Sequence, residues 1–333
     1  MKKLLLFLIC LLFISNPVLK VSSENNYYAK EYILIDGYDN EILEGKDYHN
    51  PLSVASISKI MTALLAVESD KLFYSYEVPI QALNIEGSSI YLKEGEKYRL
   101  IDLVYGLLLR SGNDAAYAIS IITSGSTSLF VDRMNNRAKS IGMINTYFSN
   151  PCGLDIYDNG NISTAYDMAL LMKECLKNEI FQDIIKTKKH VIGSHVYINK
   201  NKLVNNYEHI LGSKTGYTFK AKRTLVSAAK KDDQYLIMVT LNCSNDYNFH
   251  IDTYDRYFNT YSYIIFLKEG INYIDEYYFV APYVVGLRLK KEIAKCGIKK
   301  YVLNTDTRIL TISFIDENGN EYHLKKYPNI TLT

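Results

Sequence analysis

The sequence lacks tryptophan, a clear excess of either charge, and any cluster of residues with metal-ligand spacing. Its 38 Lys and Arg balance 36 Asp and Glu at a formal net charge of +2, so the chain has no strong basic field to attract nucleic acid. The 6 histidines are scattered, and none forms an HxxxH or HExxH pattern that presents two ligands on one helix face. We therefore expect no nucleic-acid partner, no metal and no other cofactor.

Cysteine is scarce and widely spaced. Cys10 lies in an apolar run at the start of the chain, and the remaining cysteines form neither a CxxC pair nor the compact framework of a small disulfide-rich domain: Cys152, Cys175, Cys243 and Cys296. We predict that these four are mostly free, buried thiols.

Long apolar runs are also few, and the N-terminal one is typical of a secretory signal. Lys2 and Lys3 precede an apolar run of about 11 residues, and Val21-Ser22-Ser23 supplies small residues for cleavage near Ser23. The run is shorter than the roughly 20 residues that span a bilayer as a helix. We predict a signal peptide at residues 1–23 and export to the cell wall or the outer face of the cytoplasmic membrane, with retention of the segment as an anchor as the alternative.

The rest of the chain has the size and composition of a folded protein. With 333 residues, 48% hydrophobic and 22% charged, it can bury a large core. Residues 24–268 mix helical and strand patterns, which predicts one large domain. From Tyr273 onward, short alternating runs and a turn at residues 317–320 predict a small all-β domain over residues 269–333, without evident chemistry.

The string Ser56-Ile57-Ser58-Lys59 combines a hydroxyl with an amine at helical spacing. Apolar residues recur at a helical period through residues 57–67, so Ser56 is predicted at a helix start. There the backbone N–H groups and the helix dipole favour an oxyanion, and Lys59 lies one turn on, on the face of the Ser56 hydroxyl. A neutral Lys59 can accept the Ser56 proton, and we expect burial and a second cation, Lys214, to lower its pKa. The alternative is a helix-capping serine with a solvated lysine.

The same Ser-x-x-Lys pattern recurs at Ser227 to Lys230. It lies in the alternating run 224–229, which a polar turn joins to another strand-like run at residues 235–241. Residues three apart in a strand point to opposite faces. We therefore predict that Ser227 is a structural strand residue.

The second candidate motif is Ser111-Gly112-Asn113. It follows a helical pattern over residues 100–109, which places it on a loop between two helices. On such a loop Ser111 can relay a proton to a leaving amine, while the Asn113 amide holds a substrate backbone. A plain cap and turn is the alternative.

The third motif, Lys214-Thr215-Gly216, precedes the hairpin of residues 224–241 and is predicted to begin an edge strand. Lys214 and Thr215 are suited to bind a carboxylate, and Gly216 permits close approach of another backbone. A loop with a spare lysine is the alternative.

Together these strings resemble the serine D-alanyl-D-alanine carboxypeptidases, the low-molecular-weight penicillin-binding proteins of the peptidase S11 family. The resemblance covers about residues 28–270 and extends to Gly87-Ser88-Ser89, residues 150–155 and residues 199–203. It implies an α/β sandwich of the β-lactamase/transpeptidase type, with an antiparallel sheet and helices, followed by a small C-terminal all-β domain. Residues 24–268 would then form the catalytic domain.

The resemblance also implies a reaction. Ser56 would attack the D-Ala-D-Ala bond of a peptidoglycan stem peptide with Lys59 as base, and β-lactam antibiotics would acylate Ser56. Ser111 and Asn113 would assist leaving-group protonation and positioning. The remaining implied site residues are Lys214, Thr215 and Gly216 for the substrate carboxylate and backbone, and the N–H groups of Ser56 and Tyr217 as the oxyanion hole.

Two departures from the family pattern affect these expectations. Some relatives carry an arginine after the strand that corresponds to residues 235–241, whereas this chain has residues 242–246, Asn-Cys-Ser-Asn-Asp, so we expect a rearranged carboxylate site. The last residues show no amphipathic helix like the membrane anchor of many relatives. Association with the wall or the membrane stays an open expectation.

Two other functions fit parts of the pattern. A class A β-lactamase shares the three motifs but needs a glutamate that activates the deacylating water. After Glu96 the next glutamate is Glu174, inside the helical pattern 165–176, so the expected loop glutamate is missing. A catalytically silent penicillin-binding module is the other alternative, and the presence of Ser56, Lys59 and Lys214 argues against it.

Overall fold

The computed structural model describes residues 27–155, 160–274, 277–304, 306–307 and 309–323, so the predicted signal peptide lies outside the described residues. The described strands are β1 (Ala29–Asp36), β2 (Ile42–Lys46), β3 (Leu52–Ser53), β4 (Ser75–Glu77), β5 (Lys97–Arg99), β6 (Ile162–Ser163), β7 (Lys189–Ile192), β8 (His195–Ile198), β9 (Ile210–Thr218), β10 (Lys222–Lys231), β11 (Gln234–Cys243), β12 (Tyr261–Leu267), β13 (Gly270–Ile274), β14 (Tyr277–Ala281), β15 (Val285–Lys290), β16 (Gly297–Asn304), β17 (Ile309–Asp316) and β18 (Glu321–His323).

The described α-helices are α1 (Lys59–Val67), α2 (Leu100–Arg110), α3 (Asn113–Ser124), α4 (Thr127–Ile141), α5 (Ala165–Cys175), α6 (Glu179–Ile185), α7 (Lys202–Asn206), α8 (Asp246–Thr260) and α9 (Lys291–Ala294). Short 3₁₀ turns cover Ala55–Ser58 and Ile80–Ala82. Among the residues that the structure describes, no helix is long and apolar enough to cross a bilayer.

The centre of the fold is a five-stranded antiparallel sheet in the order β2-β1-β11-β10-β9. Strand side chains alternate between the two faces, so β1 contributes Ile33 and Ile35 to one core and Leu34 to another. The first core includes helices α1 to α5, and the second packs Tyr254 and Phe258 of α8 against the opposite face. This architecture confirms the predicted α/β sandwich, and β9 lies at an edge of the sheet, as predicted.

The C-terminal part has its own small core. Strands β12 and β15 pair, β13 and β14 pair, and β16 to β18 form a three-stranded sheet. Phe266, Phe279 and Phe314 are buried together there, and each buried side chain of this size contributes roughly 1.5–3 kcal/mol. The predicted all-β character is confirmed. The predicted boundary between residues 268 and 269 stays a prediction, and the pairing groups β12 with the C-terminal strands.

A buried ion pair connects this C-terminal part to the central sheet. The guanidinium of Arg288, on β15, contacts the carboxylate of Asp36 at the end of β1 and donates to Gln234 Oε1 at 2.6 Å. Both ionic side chains are buried, at 7% and 1% exposure. Burial raises the pKa of Asp36, and the Arg288 guanidinium acts in the opposite direction. The pair therefore needs both partners.

We expect Arg288→Met to lower the free energy of unfolding by about 3–5 kcal/mol, because it leaves the Asp36 carboxylate buried without its cation. Urea denaturation followed by circular dichroism measures the loss. The double variant Asp36→Asn/Arg288→Met removes the stranded charge, and we expect it to be more stable than the single variant. Equal stability of the single variant and the wild type would contradict this role.

The cysteines mostly behave as predicted. Cys152, Cys175 and Cys243 are free, buried thiols. Cys296 is free but exposed, because it lies in the short connection between α9 and β16 rather than in a core. The prediction of burial is therefore wrong for this residue.

Candidate active site

The turn that carries Ser56 has an unusual backbone. Ala55 adopts φ 50°, in the left-handed region that costs a non-glycine residue about 1–3 kcal/mol. The Ser58 hydroxyl donates to the Ala55 carbonyl at 2.8 Å and holds the turn, after which α1 begins at Lys59. Gly153 packs so closely that a Cβ would lie 2.1 Å from the Ala55 carbonyl oxygen. Ser56 thus lies at the predicted helix start, on a turn that its neighbours constrain.

Lys59 lies beside the Ser56 hydroxyl. Its side chain is fully buried, and its Nζ donates to Ser56 Oγ at 2.9 Å, Asn113 Oδ1 at 2.7 Å and the Cys152 carbonyl at 2.6 Å. The Ser56 hydroxyl in turn lies 3.4 Å from the Cys152 carbonyl. The amine is therefore aimed at the hydroxyl as the sequence predicts, and it is not solvated.

Burial changes the pKa of the Lys59 amine. It lowers the pKa of Lys59 to about 8, while Cys152 and Asp114 act in the opposite direction. Burial also lowers the pKa of Lys214 far below its usual range, and the charge on Lys59 lowers it further. We predicted that burial and Lys214 would both lower the pKa of Lys59. Burial does so, whereas the repulsion between the two ammonium groups is seen as a lowering of the pKa of Lys214.

Ser111 and Lys214 form the opposite side of the site. Ser111 ends α2 in the left-handed conformation, with φ 62°, on the predicted loop between two helices. Lys214 Nζ donates to Ser111 Oγ at 3.0 Å and to the Thr215 carbonyl at 2.8 Å. Lys214 is only 2% exposed. The structure therefore brings the second and third motifs into direct contact.

Asn113 is held in one orientation. Its backbone N–H donates to the Ser88 carbonyl at 2.6 Å, and its Nδ2 donates to the Glu86 carbonyl at 2.5 Å. Gly87 leaves the necessary room, since a Cβ there would lie 2.8 Å from Asn113 Nδ2. The amide oxygen is then free to accept from Lys59. Asn113 begins α3 itself, so its amide is fixed by both a helix end and a loop.

Strand β9 runs against the Ser56 turn at Gly216. A Cβ at this position would lie 2.4 Å from Thr224 Oγ1 and 2.8 Å from the Ser56 backbone nitrogen. Thr224 Oγ1 donates to the Val54 carbonyl at 3.0 Å, which ties β10 to the same turn. Tyr217, the next residue of β9, is 57% exposed. The close approach predicted for Gly216 is therefore present, and it brings β9 to the candidate nucleophile.

We expect Gly216→Ala to lower kcat/KM for the reaction proposed below by about 100-fold, since a shift of about 1 Å at a reacting group has an effect of this size. The added methyl group forces the Ser56 turn away from β9. Steady-state kinetics measures the effect, and a thermal melt shows whether the protein stays folded. Gly95→Ala is the control for destabilisation: the φ of 77° strains an alanine there, but no atom lies within 4 Å of the added carbon, so the Ser56 turn is not displaced. Unchanged kcat/KM in Gly216→Ala would contradict the close packing.

Sequence patterns missed several contributors. The Cys152 carbonyl has no sequence signal, since every residue carries one. The Asn150 side chain accepts from the N–H groups of Cys152 at 3.1 Å and Gly153 at 2.7 Å, and an Asn before a proline is a detectable turn signal. Asp155 accepts from Ser53 at 3.0 Å and from Thr218 at 2.5 Å, so it joins the Ser56 region to the end of β9.

The second Ser-x-x-Lys pattern is structural, as predicted. Ser227 lies in β10, and its hydroxyl is 2.7 Å from both His250 Nδ1 and the Tyr254 hydroxyl in the core. Burial lowers the pKa of His250 to about 3, which keeps the ring neutral. Lys230 is exposed. The hydroxyl and the amine of this pattern therefore do not meet.

The Glu174 carboxylate pairs with basic side chains and does not take part in the candidate site. It contacts Arg137 at 2.7 Å and Lys177 at 2.6 Å, on helices α4 and α5 and the residues that follow. It makes no contact with Ser56 or Lys59. Among the residues that the structure describes, no group of three or more His, Cys, Asp or Glu is placed to hold a metal ion. The assembled chemistry is that of an activated serine beside two buried lysines.

Sequence comparison finds a family and several proteins to which this chain is similar. A profile of the peptidase S11 family, described as D-alanyl-D-alanine carboxypeptidase, matches residues 19–245. The D-alanyl-D-alanine carboxypeptidase DacF of Bacillus subtilis is 36% identical over 235 residues, which cover 68% of this chain and 60% of that protein. The match thus spans less than two thirds of this relative's length.

Solved structures give the same result for the fold. A D-alanyl-D-alanine carboxypeptidase from Mycobacterium tuberculosis H37Rv has a TM-score of 0.62 and 28% identity, and the match covers 64% of this chain and 82% of that one. Penicillin binding protein 6B from Escherichia coli has a TM-score of 0.75 at 23% identity, covering 91% and 95%. The second likeness concerns the fold alone and extends through the C-terminal strands.

Proposed function

Because this chain belongs to the peptidase S11 family of D-alanyl-D-alanine carboxypeptidases, we propose that it removes the terminal D-alanine from peptidoglycan stem peptides through an acyl-enzyme on Ser56. The observation that carries this proposal is the 2.9 Å contact between Lys59 Nζ and Ser56 Oγ inside a pocket where the lysine is fully buried. A buried amine of lowered pKa beside a hydroxyl is the arrangement that activates a serine nucleophile.

In the acylation step, neutral Lys59 accepts the Ser56 proton as Oγ attacks the carbonyl carbon of the D-Ala-D-Ala bond. The backbone N–H groups of Ser56 and Tyr217 stabilise the oxyanion of the tetrahedral intermediate. The close contact of Gly216, the residue before Tyr217, with the Ser56 nitrogen supports this role.

The leaving D-alanine needs a proton on its amine. Ser111 supplies it in this proposal, since its hydroxyl lies 3.0 Å from Lys214 Nζ and can be reprotonated from there. Asn113 orients the substrate backbone and keeps Lys59 in place through its amide oxygen. Water then hydrolyses the ester on Ser56 and frees the enzyme.

The protonation states of Lys59 and Lys214 are coupled, so a bound substrate can change both of them. A bound carboxylate favours the charged form of Lys214, which burial and the charge on Lys59 otherwise disfavour. A charged Lys214 in turn disfavours a proton on Lys59, since the repulsion between the two ammonium groups is mutual. Carboxylate binding at Lys214 and Thr215 therefore promotes the neutral form of the base.

The proposed substrate also predicts where in the cell envelope this protein acts. Peptidoglycan lies outside the cytoplasmic membrane, which agrees with a signal peptide at residues 1–23 and with export to the cell wall or the outer face of the cytoplasmic membrane. β-Lactam antibiotics, which present a reactive amide and a carboxylate, are the expected covalent inhibitors. Family membership supports both statements.

The test uses purified residues 24–333 and a stem pentapeptide ending in D-Ala-D-Ala. We expect release of one D-alanine per peptide, and a long-lived adduct with labelled penicillin that maps to Ser56 by mass spectrometry. Rapid penicillin hydrolysis without D-alanine release would identify a β-lactamase. A stable adduct with no turnover of peptide would identify a silent penicillin-binding module.

A further inference from the structure

A cation lies on the strand next to β9, on the face that carries Thr215. Arg223 of β10 pairs directly with Tyr217 and is diagonal to Thr215, which pairs with Leu225. Side chains alternate along a strand, so Arg223 shares one face with Thr215 and Tyr217. Directly opposed Cβ atoms are about 5 Å apart and diagonal ones about 7–8 Å, a span within reach of an arginine side chain.

The guanidinium is held and yet accessible. Asp246, whose side chain is 2% exposed, accepts from Arg223 Nε at 3.2 Å and from Nη2 at 2.7 Å. The Tyr247 ring lies 5.3 Å from the guanidinium carbon. These two hydrogen bonds use two of the five N–H donors of an arginine. The Arg223 side chain remains 39% exposed, so it can meet a ligand without leaving Asp246.

The carboxylate of the proposed substrate needs such a donor. Lys214 acts on this carboxylate mainly through its charge, because its Nζ already donates to Ser111 and to the Thr215 carbonyl and its side chain is buried. Burial lowers the pKa of Lys214, which disfavours its charged form. An arginine stays charged at any ordinary pH and offers two parallel N–H donors that match a carboxylate.

We propose that Arg223 is a substrate-binding residue that holds the terminal carboxylate together with Thr215, while Asp246 orients the guanidinium. This inference rests on the proposed carboxypeptidase function and adds a specificity residue to it. Arg223 contributes through binding and takes no part in the proton transfers. Substrates and inhibitors without the negative charge lose this contact.

The experiment compares acylation of Ser56 by benzylpenicillin and by its methyl ester, which has no free carboxylate, followed by mass spectrometry. We expect the wild type to prefer the acid, and Arg223→Met to lower the rate with the acid by about 10- to 100-fold while the rate with the ester stays unchanged. Arg223→Lys should recover part of the preference. Release of D-alanine from the pentapeptide should fall in parallel, through KM more than kcat.

Arg256→Met is the matched control, because Arg256 also pairs with a carboxylate, but its partner Glu44 lies on β2, at the opposite edge of the sheet from β9. It should keep the wild-type preference. An equal loss with acid and ester in Arg223→Met would assign Arg223 to structure alone and overturn the proposal, as would a preserved preference. If the wild type releases no D-alanine, the carboxypeptidase function fails, while the ratio of acid to ester still reports on Arg223.

Discussion

Ser56→Ala is expected to lower kcat/KM for D-alanine release by about 10⁴- to 10⁶-fold, the range seen when a serine enzyme loses its nucleophile. Without Oγ no acyl-enzyme forms, so labelled penicillin should also leave no adduct. The residual rate would come from substrate positioning by the rest of the site. Coupled detection of free D-alanine and intact-protein mass spectrometry give two independent readouts.

Ser75→Ala provides the comparison for this variant, since Ser75 is an exposed serine at the start of β4. It should match the wild type in both readouts. A penicillin adduct that persists in Ser56→Ala would place the nucleophile on another residue, and the proposed mechanism would then be wrong. The buried Ser227 is the obvious other serine of a Ser-x-x-Lys pattern, and its hydroxyl faces His250 and Tyr254 rather than the pocket.

Lys59→Arg should lower kcat/KM by about 10²- to 10⁴-fold, because a guanidinium keeps its positive charge but cannot give up its proton to become a base. In the wild type, kcat/KM should rise about tenfold per pH unit below the pKa of Lys59 and level off above about pH 8. The sign follows from the role: protonated Lys59 cannot accept the Ser56 proton.

Two comparisons make the pH test specific. Lys186→Arg alters an exposed lysine that pairs with Asp183 and with no residue of the candidate site, and it should keep both the rate and the pH profile of the wild type. The arginine variant at position 59 should lose the rise toward pH 8. A wild-type profile that is flat between pH 6 and pH 9 would exclude a lysine of lowered pKa as the base.

Local patterns in the sequence were enough to predict the elements that carry the site. Apolar periodicity places Ser56 at a helix start and Ser111 after a helix, and alternation places Lys214 on an edge strand. These features depend on neighbours within one turn or one strand, and such neighbours are visible in the sequence. Alternation alone also separates Ser227 from Ser56.

Other parts of the site depend on tertiary packing and leave no local signal. The positive φ of Ala55 occurs in a turn against which Gly153 and Gly216, both distant in sequence, pack closely. Burial, which sets the pKa of Lys59, depends on residues far along the chain. The sequence did indicate that carboxylate recognition departs from that of some relatives. The position of Arg223 opposite Tyr217 shows one way in which the chain can meet that need.

The contacts around the Ser56 turn also have a consequence for the order in which the candidate site is completed during folding. The contacts that shape the turn join residues 93 positions apart, in Lys59 with Cys152, and 170 positions apart, in Val54 with Thr224. Contacts of such high sequence separation form late, because the loop-closure entropy must first be overcome. A nascent chain that has not yet added its last sheet strands therefore contains Ser56 and Lys59 without the residues that pack around them in the folded domain. We therefore expect the proposed chemistry to require completion of the whole domain.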